Sequence, residues 1–183
     1  MNPHLRESKW QFAKSAYAIE VNPWPPRTDV EAVLLWRGTI VAAFGNIETN
    51  LGEVAIRASR LPQYEALRAG FPYSAEKRVA FLRAAFCKDP LRPYQGIASV
   101  FLDRFSAAAN LRHMMAHARM QVLPGMAVFH DFAESNGVEV SARRTPFALH
   151  ELEHCAWKAA RLSRIGQRLL VRLNTAEVLP TLE

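Results

Sequence analysis

Along most of the chain apolar residues recur every third or fourth position, and where that period lapses a proline or glycine marks the lapse. The longest run begins after Thr28 or Asp29, either of which can cap a helix, with Glu31 in the first turn against the positive end of the dipole. Positions 30, 34, 37, 41, 44, 48, 51 and 55 (Val, Leu, Arg, Val, Phe, Glu, Leu, Ala) form one stripe that continues to about Arg60 and closes at Leu61-Pro62. Residues 63–73 then read as a connection. Ser74 caps a short helix over Ala75 to Cys87, with Val79, Leu82, Ala85 and Phe86 on one side. After the break at Asp89-Pro90 and Pro93, a third helix runs from Tyr94 to about Ala118 on a stripe of Ile97, Phe101, Phe105, Ala108, Leu111 and Met115.

Beyond Ala118 the period shortens. Met120 to Leu123, Met126 to Phe132 and Val138 to Arg143 are β-rich, with turn chemistry at Pro124-Gly125 and Ser135-Asn136-Gly137, and predict a small antiparallel hairpin. Thr145-Pro146 follows the cap-then-proline pattern and predicts a last helix through Leu152, Ala156, Ser163 and Leu170 to about Leu173. The sum is a mainly α protein, a four-helix bundle over 28–175 with a hairpin inserted before the last helix. An N-terminal arm over 1–27 carries a short helix at 8–21 broken at Pro23, and a short frayed tail covers 176–183.

Composition narrows the class. Half of the 183 residues are apolar and 22% are charged, the balance of a globular domain. No apolar run approaches the roughly 18 residues of a membrane helix, and the start lacks the layout of a secretory signal. Both points predict a cytoplasmic protein. Cys87 and Cys155 are far apart in apolar helical patterns, which predicts buried reduced thiols. The net charge of +6 permits an anionic partner but is spread along the chain.

Candidate chemistry concentrates in Leu111-Arg112-His113-Met114-Met115-Ala116-His117, where one permanent cation and two imidazoles stand among apolar residues. Glu48 is the acid to set beside them. It falls inside the first apolar stripe, where an unpartnered carboxylate costs several kcal/mol. A glutamate there is expected to meet a cation, a donor cluster or a water-filled cleft, or to reach solvent from the stripe's edge.

Arg112 and His117 make an R-x4-H pattern near the end of the third helix, with His113 directly after the arginine. In this the chain resembles the HEPN superfamily of helical, often dimeric proteins, many of them metal-independent ribonucleases of toxin-antitoxin, phage-defence or RNA-processing systems. The resemblance covers roughly 29–173. It implies an endoribonuclease without a cofactor, in which an acidic residue of an early helix, here Glu48, faces the motif. It also implies RNA as substrate, a homodimer and, in a toxin-antitoxin setting, an antitoxin protein as partner.

The residues support that chemistry in their own right. Cleavage by the 2′-hydroxyl needs a base, charge stabilisation at phosphorus and an acid for the leaving 5′-oxygen. Imidazoles supply the proton transfers and a guanidinium the planar fork for phosphate oxygens. Arg112 and His117 lie roughly 140° apart on an ideal helix. They therefore converge only at a bent helix end or across a two-fold axis in a homodimer. Asn110, His113 and His117 share a face, a polar strip suited to lining a cleft and contacting RNA. On the last helix Arg161, Arg164 and Arg168 form a basic stripe suited either to an RNA backbone or to a solvated face.

Two further readings stay open. In one, the chain is a non-catalytic nucleotide- or RNA-binding module of the same build, Arg112 merely pairing with Glu48. In the other, the i, i+4 pairs His113/His117 and His150/His154, with Glu151 and Glu153, hold a metal ion.

Overall fold

The computed structural model describes residues 26–67, 74–135 and 139–181. The helix expected over 8–21 and part of the turn at 135–137 lie outside them. Within the described residues the protein is mainly helical, with five α-helices, two short 3-10 turns and one three-stranded antiparallel sheet. The helices are α1 (Asp29–Ser59), α2 (Ala75–Ala85), α3 (Gln95–Ala107), α4 (Ala109–His117) and α5 (Leu149–Thr175); the strands are β1 (Arg119–Leu123), β2 (Met126–Ser135) and β3 (Glu139–Ala148). Contacts divide the chain into two compact units. Among the described residues the first comprises 26–43 with Asn110–Ala160 and the second Phe44–Ala109 with 161–181, so α1 and α5 contribute to both.

In the first unit Thr28 caps α1, its hydroxyl accepting from the Glu31 amide at 3.2 Å. The other candidate cap, Asp29, instead accepts from the Gly125 amide in the β1–β2 turn at 2.7 Å. That turn is the two residues Pro124-Gly125, and Gly125 has a φ of 73°, the conformation a type II turn demands at its second central position. Val33, Trp36 and Ile40 of α1, Met114 and Met115 of α4, Ala127 and Phe129 of β2 and Leu152 and Ala156 of α5 are among its buried apolar residues.

The second unit buries Phe44, Ile47, Leu51 and Val54 of α1 with Leu82 of α2, Phe101, Leu102 and Phe105 of α3 and Leu169, Leu170 and Leu173 of α5. A small cavity remains between Asn50, Leu82, Phe86, Phe101 and Leu170. Residues 176–181, after α5, are docked rather than frayed. Buried Arg57 donates to the carbonyls of Pro180 at 2.7 Å and Leu179 at 3.1 Å and to the side chains of Glu53 and Asn174.

Several expectations need correction. The third helix is two helices, because it breaks at Ala108 and α4 starts anew at Ala109. The hairpin is a three-stranded sheet. Thr145-Pro146 belongs to β3, where Pro146 opposes Val128 on an edge strand that can spare its amide, and α5 starts only at Leu149. Glu151 supplies the cap, its carboxylate accepting from the Ala148 amide at 2.9 Å. In α1 the buried face runs through Val33, Trp36, Ile40, Phe44 and Ile47, while Val30, Leu34 and Val41 are exposed; Glu48 is half-buried at the flank, not in the seam. Ile97 is exposed as well, and α3 buries Ala98 instead. Cys87 is exposed and Cys155 half-buried, both as free thiols. By length and composition alone α1 is apolar enough to cross a membrane, and 44% of its most apolar window is buried in the fold.

Candidate active site at the end of α4

With only nine residues α4 is too short to be stable by propensity, so packing must hold it. Met114 and Met115 anchor one side in the core of the first unit. Its C-terminal carbonyls, which no further turn of helix satisfies, are taken by Arg37 of α1. Nε of Arg37 donates to the Met115 carbonyl at 2.7 Å, and a terminal nitrogen donates to the Ala118 carbonyl at 3.0 Å. The same guanidinium lies 5.9 Å from the centre of the Phe129 ring. This clamp fixes the corner at which α4 passes directly into β1.

On the opposite side of α4 the polar strip is present as expected: Asn110, His113 and His117 are all exposed. The two imidazoles meet, their ring centres 4.8 Å apart. At that distance the rings contact one another and leave no room for a phosphate between them. They can therefore present nitrogens to a substrate lying across the pair but cannot flank it.

Beside the strip the sheet contributes an ion pair. Arg143 of β3 donates to both carboxylate oxygens of Asp131 on β2, at 3.0 and 2.6 Å, and the Asp131 side chain is only 6% exposed. The hydrogen bonds from Arg143 hold the Asp131 carboxyl below its ordinary range against the opposing effect of burial, and the charge of His113 adds to the lowering. Sequence reasoning missed this pair because the partnership follows from strand register, Asp131 opposing Arg143.

Arg112 is half-buried in α4, which is regular to its last residue. The roughly 140° separation from His117 therefore stands, and within one α4 the two side chains do not share a face. Glu48 belongs to the second unit, where its main-chain carbonyl accepts from Arg78 at 3.4 Å. Also in the second unit are Arg161, Arg164 and Arg168, the first and last exposed and Arg164 half-buried. Burial lowers the pKa of the Arg164 guanidinium, and the neighbouring charges of Arg168 and Arg161 lower it further. The metal alternative fares differently. Among the described residues no three His, Cys, Asp or Glu side chains are gathered as a metal ion needs, and Glu151 is committed to capping α5.

No protein-family model, curated protein or solved structure matches the chain.

Proposed function

We propose that the protein is a HEPN-like endoribonuclease that cleaves RNA without metal, acting as a homodimer. The observation that carries this reading is the exposed, mutually contacting pair His113 and His117 on a helix end that Arg37 holds rigid, with Arg112 in the same two turns. One imidazole takes the proton of a 2′-hydroxyl. The 2′-oxygen attacks phosphorus, the bond to the 5′-oxygen breaks, and an acid returns a proton to that leaving oxygen. The products are a 2′,3′-cyclic phosphate and a 5′-hydroxyl. Arg112 offers two parallel N–H donors to the phosphorane oxygens.

Because Arg112 and His117 face different sides of α4, the complete site takes Arg112 from one protomer and His117 from its partner. In this scheme Asn110 contacts the RNA beside the imidazoles.

The test is incubation of the purified protein with single-stranded RNA in the presence of a chelator. Cleavage with cyclic phosphate ends, abolished in Arg112→Ala and in His117→Ala, is expected. Cleavage that both variants retain, or that the chelator removes, overturns the proposal. Toxicity on expression, relieved by a neighbouring gene product, would mark the toxin-antitoxin setting.

A further inference from the structure

The two faces of the sheet differ in kind. On β2 the inward positions Ala127, Phe129 and Asp131 are buried, whereas Val128 and His130 are half-buried and Phe132 is 74% exposed. Strand register carries this alternation across the sheet. Arg119 of β1 and Arg144 of β3 stand directly opposite His130 on either side, and Gln121 and Pro146 flank Val128 in the same way. Ala142 lies opposite Phe132. Arg119, Gln121, Ala142, Arg144 and Pro146 are all exposed.

We propose that this outer sheet face is a binding platform for single-stranded RNA that leads the strand to His117. Three features point to that occupant. First, the row Arg119–His130–Arg144 sets two permanent cations astride an imidazole, and none of the residues in the four outward rows Leu123–Met126–Ala148, Gln121–Val128–Pro146, Arg119–His130–Arg144 and Phe132–Ala142 is acidic. Two permanent cations with no acid in these outward rows make the face complementary to a phosphate backbone. Second, Phe132 is a bare aromatic ring on the central strand, roughly 7 Å along the strand from that row. An unpaired base can stack on such a ring, whereas a base inside a duplex cannot reach it. Third, Arg119 follows His117 by two residues, so their Cα atoms are within roughly 8 Å. A strand held on the row therefore passes the end of α4. The delivery role rests on the ribonuclease reading; the binding role does not.

The experiment measures binding in the full-length His117→Ala background, where turnover does not consume the probe. A fluorescein-labelled oligouridylate of about a dozen nucleotides is titrated by anisotropy at several salt concentrations, with a duplex of the same length as comparison. Phe132→Ala should weaken oligouridylate binding about tenfold or more, while Phe132→Trp, which keeps a stacking ring, should retain it. Arg119→Ala with Arg144→Ala should lower the slope of log affinity against log salt by about 1.4, the loss of two phosphate contacts on a single strand. Affinity within about twofold of the parent in all these variants overturns the platform. So does loss of binding confined to Arg161→Ala with Arg168→Ala, or equal preference for the duplex.

A change of oligomeric state in Phe132→Ala with binding intact would instead make the face a protein interface, and also overturns it. The two readings fail separately. If the parent cuts no RNA yet binding depends on Phe132 and Arg144, the nuclease falls and the platform stands. If cleavage needs His117 while binding ignores the sheet, the reverse holds.

Discussion

Nε of Arg37 donates to the carbonyl of Met115 at 2.7 Å, joining the first half of α1 to the last turn of the helix that carries both candidate imidazoles. A second donor of the same guanidinium reaches the Ala118 carbonyl at 3.0 Å. Two hydrogen bonds from a charged donor to carbonyls that have no helical partner are worth about 2–3 kcal/mol together, allowing for partial exposure. Arg37→Ala should therefore lower the free energy of unfolding by that amount, read as a lower urea midpoint with an unchanged slope. It should also slow RNA cleavage more than it weakens RNA binding, because the imidazoles lose their fixed position. Arg37→Lys, with a single point of charge, should restore only part of either loss.

The opposed faces of Arg112 and His117 give a second expectation. If each site draws its guanidinium and imidazole from different protomers, mixing inactive Arg112→Ala protein with inactive His117→Ala protein after subunit exchange regenerates activity. Random pairing places one intact site in half of the dimers, so the mixture should recover about a quarter of the parental rate. A mixture as inactive as its components would show that both residues serve from one chain.

Asp131 and Arg143 make stability depend on acid. The folded-state pKa of Asp131 is depressed, with Arg143 as the first cause. Its contribution is therefore fully present above the ordinary carboxylate value, about 3.9. It disappears as pH falls through the lower folded value. The Tm difference between parent and Asp131→Asn should be constant near neutrality and shrink below about pH 4. A difference that grew on acidification would contradict the assigned ion pair.

Periodicity located α1, α2 and most of α5, since long apolar repeats with a threonine, serine or proline at their ends leave few alternatives. It failed where both sides of a helix are apolar. In α1 the series 30, 34, 41 and the series 33, 36, 40 are equally regular, and only packing decides that the second is buried. The break at Ala108 carries no glycine or proline, and alanine is the best helix former, so nothing local announces it. Thr145-Pro146 has the chemistry of a helix start and of an edge strand alike. The site divides in the same way. The contact of His113 with His117 follows from i, i+4 spacing on one helix, whereas the Arg37 clamp and the Asp131–Arg143 pair join residues 78 and 12 positions apart.

Gly166 in α5 faces the Phe101 ring so closely that a Cβ would lie 2.7 Å from Cζ and 3.0 Å from Cε2. Phe101 is 2% exposed and cannot swing out. Overpacking of this kind costs about 1–3 kcal/mol, offset by the roughly 1 kcal/mol that alanine gains over glycine in a helix. Gly166→Ala should thus destabilise the protein by about 1 kcal/mol. Gly45→Ala, whose Cβ would meet nothing within 4 Å, should stabilise it by a similar amount. Phe101→Leu in the Gly166→Ala background should be milder than Phe101→Leu alone, because the two changes share one space.

Glu177 has a φ of 52°, a left-handed conformation that costs an L-residue about 1–2 kcal/mol. It is held there by the end of α5. The Glu177 amide donates to the Asn174 carbonyl at 3.0 Å and the Val178 amide to the Leu173 carbonyl at 3.4 Å, the two bonds of a Schellman closure. That geometry turns the chain toward Arg57, which binds the carbonyls of Leu179 and Pro180. Glycine adopts the conformation without the steric cost but loses more entropy on folding, so Glu177→Gly should stabilise by about 0.5–1 kcal/mol. Glu177→Val, β-branched at a positive φ, should do the opposite and loosen the segment from Leu179 onward. Thermal melts of the two variants check the signs, and amide exchange at Leu179 reports whether the docked segment opens before the rest of the unit.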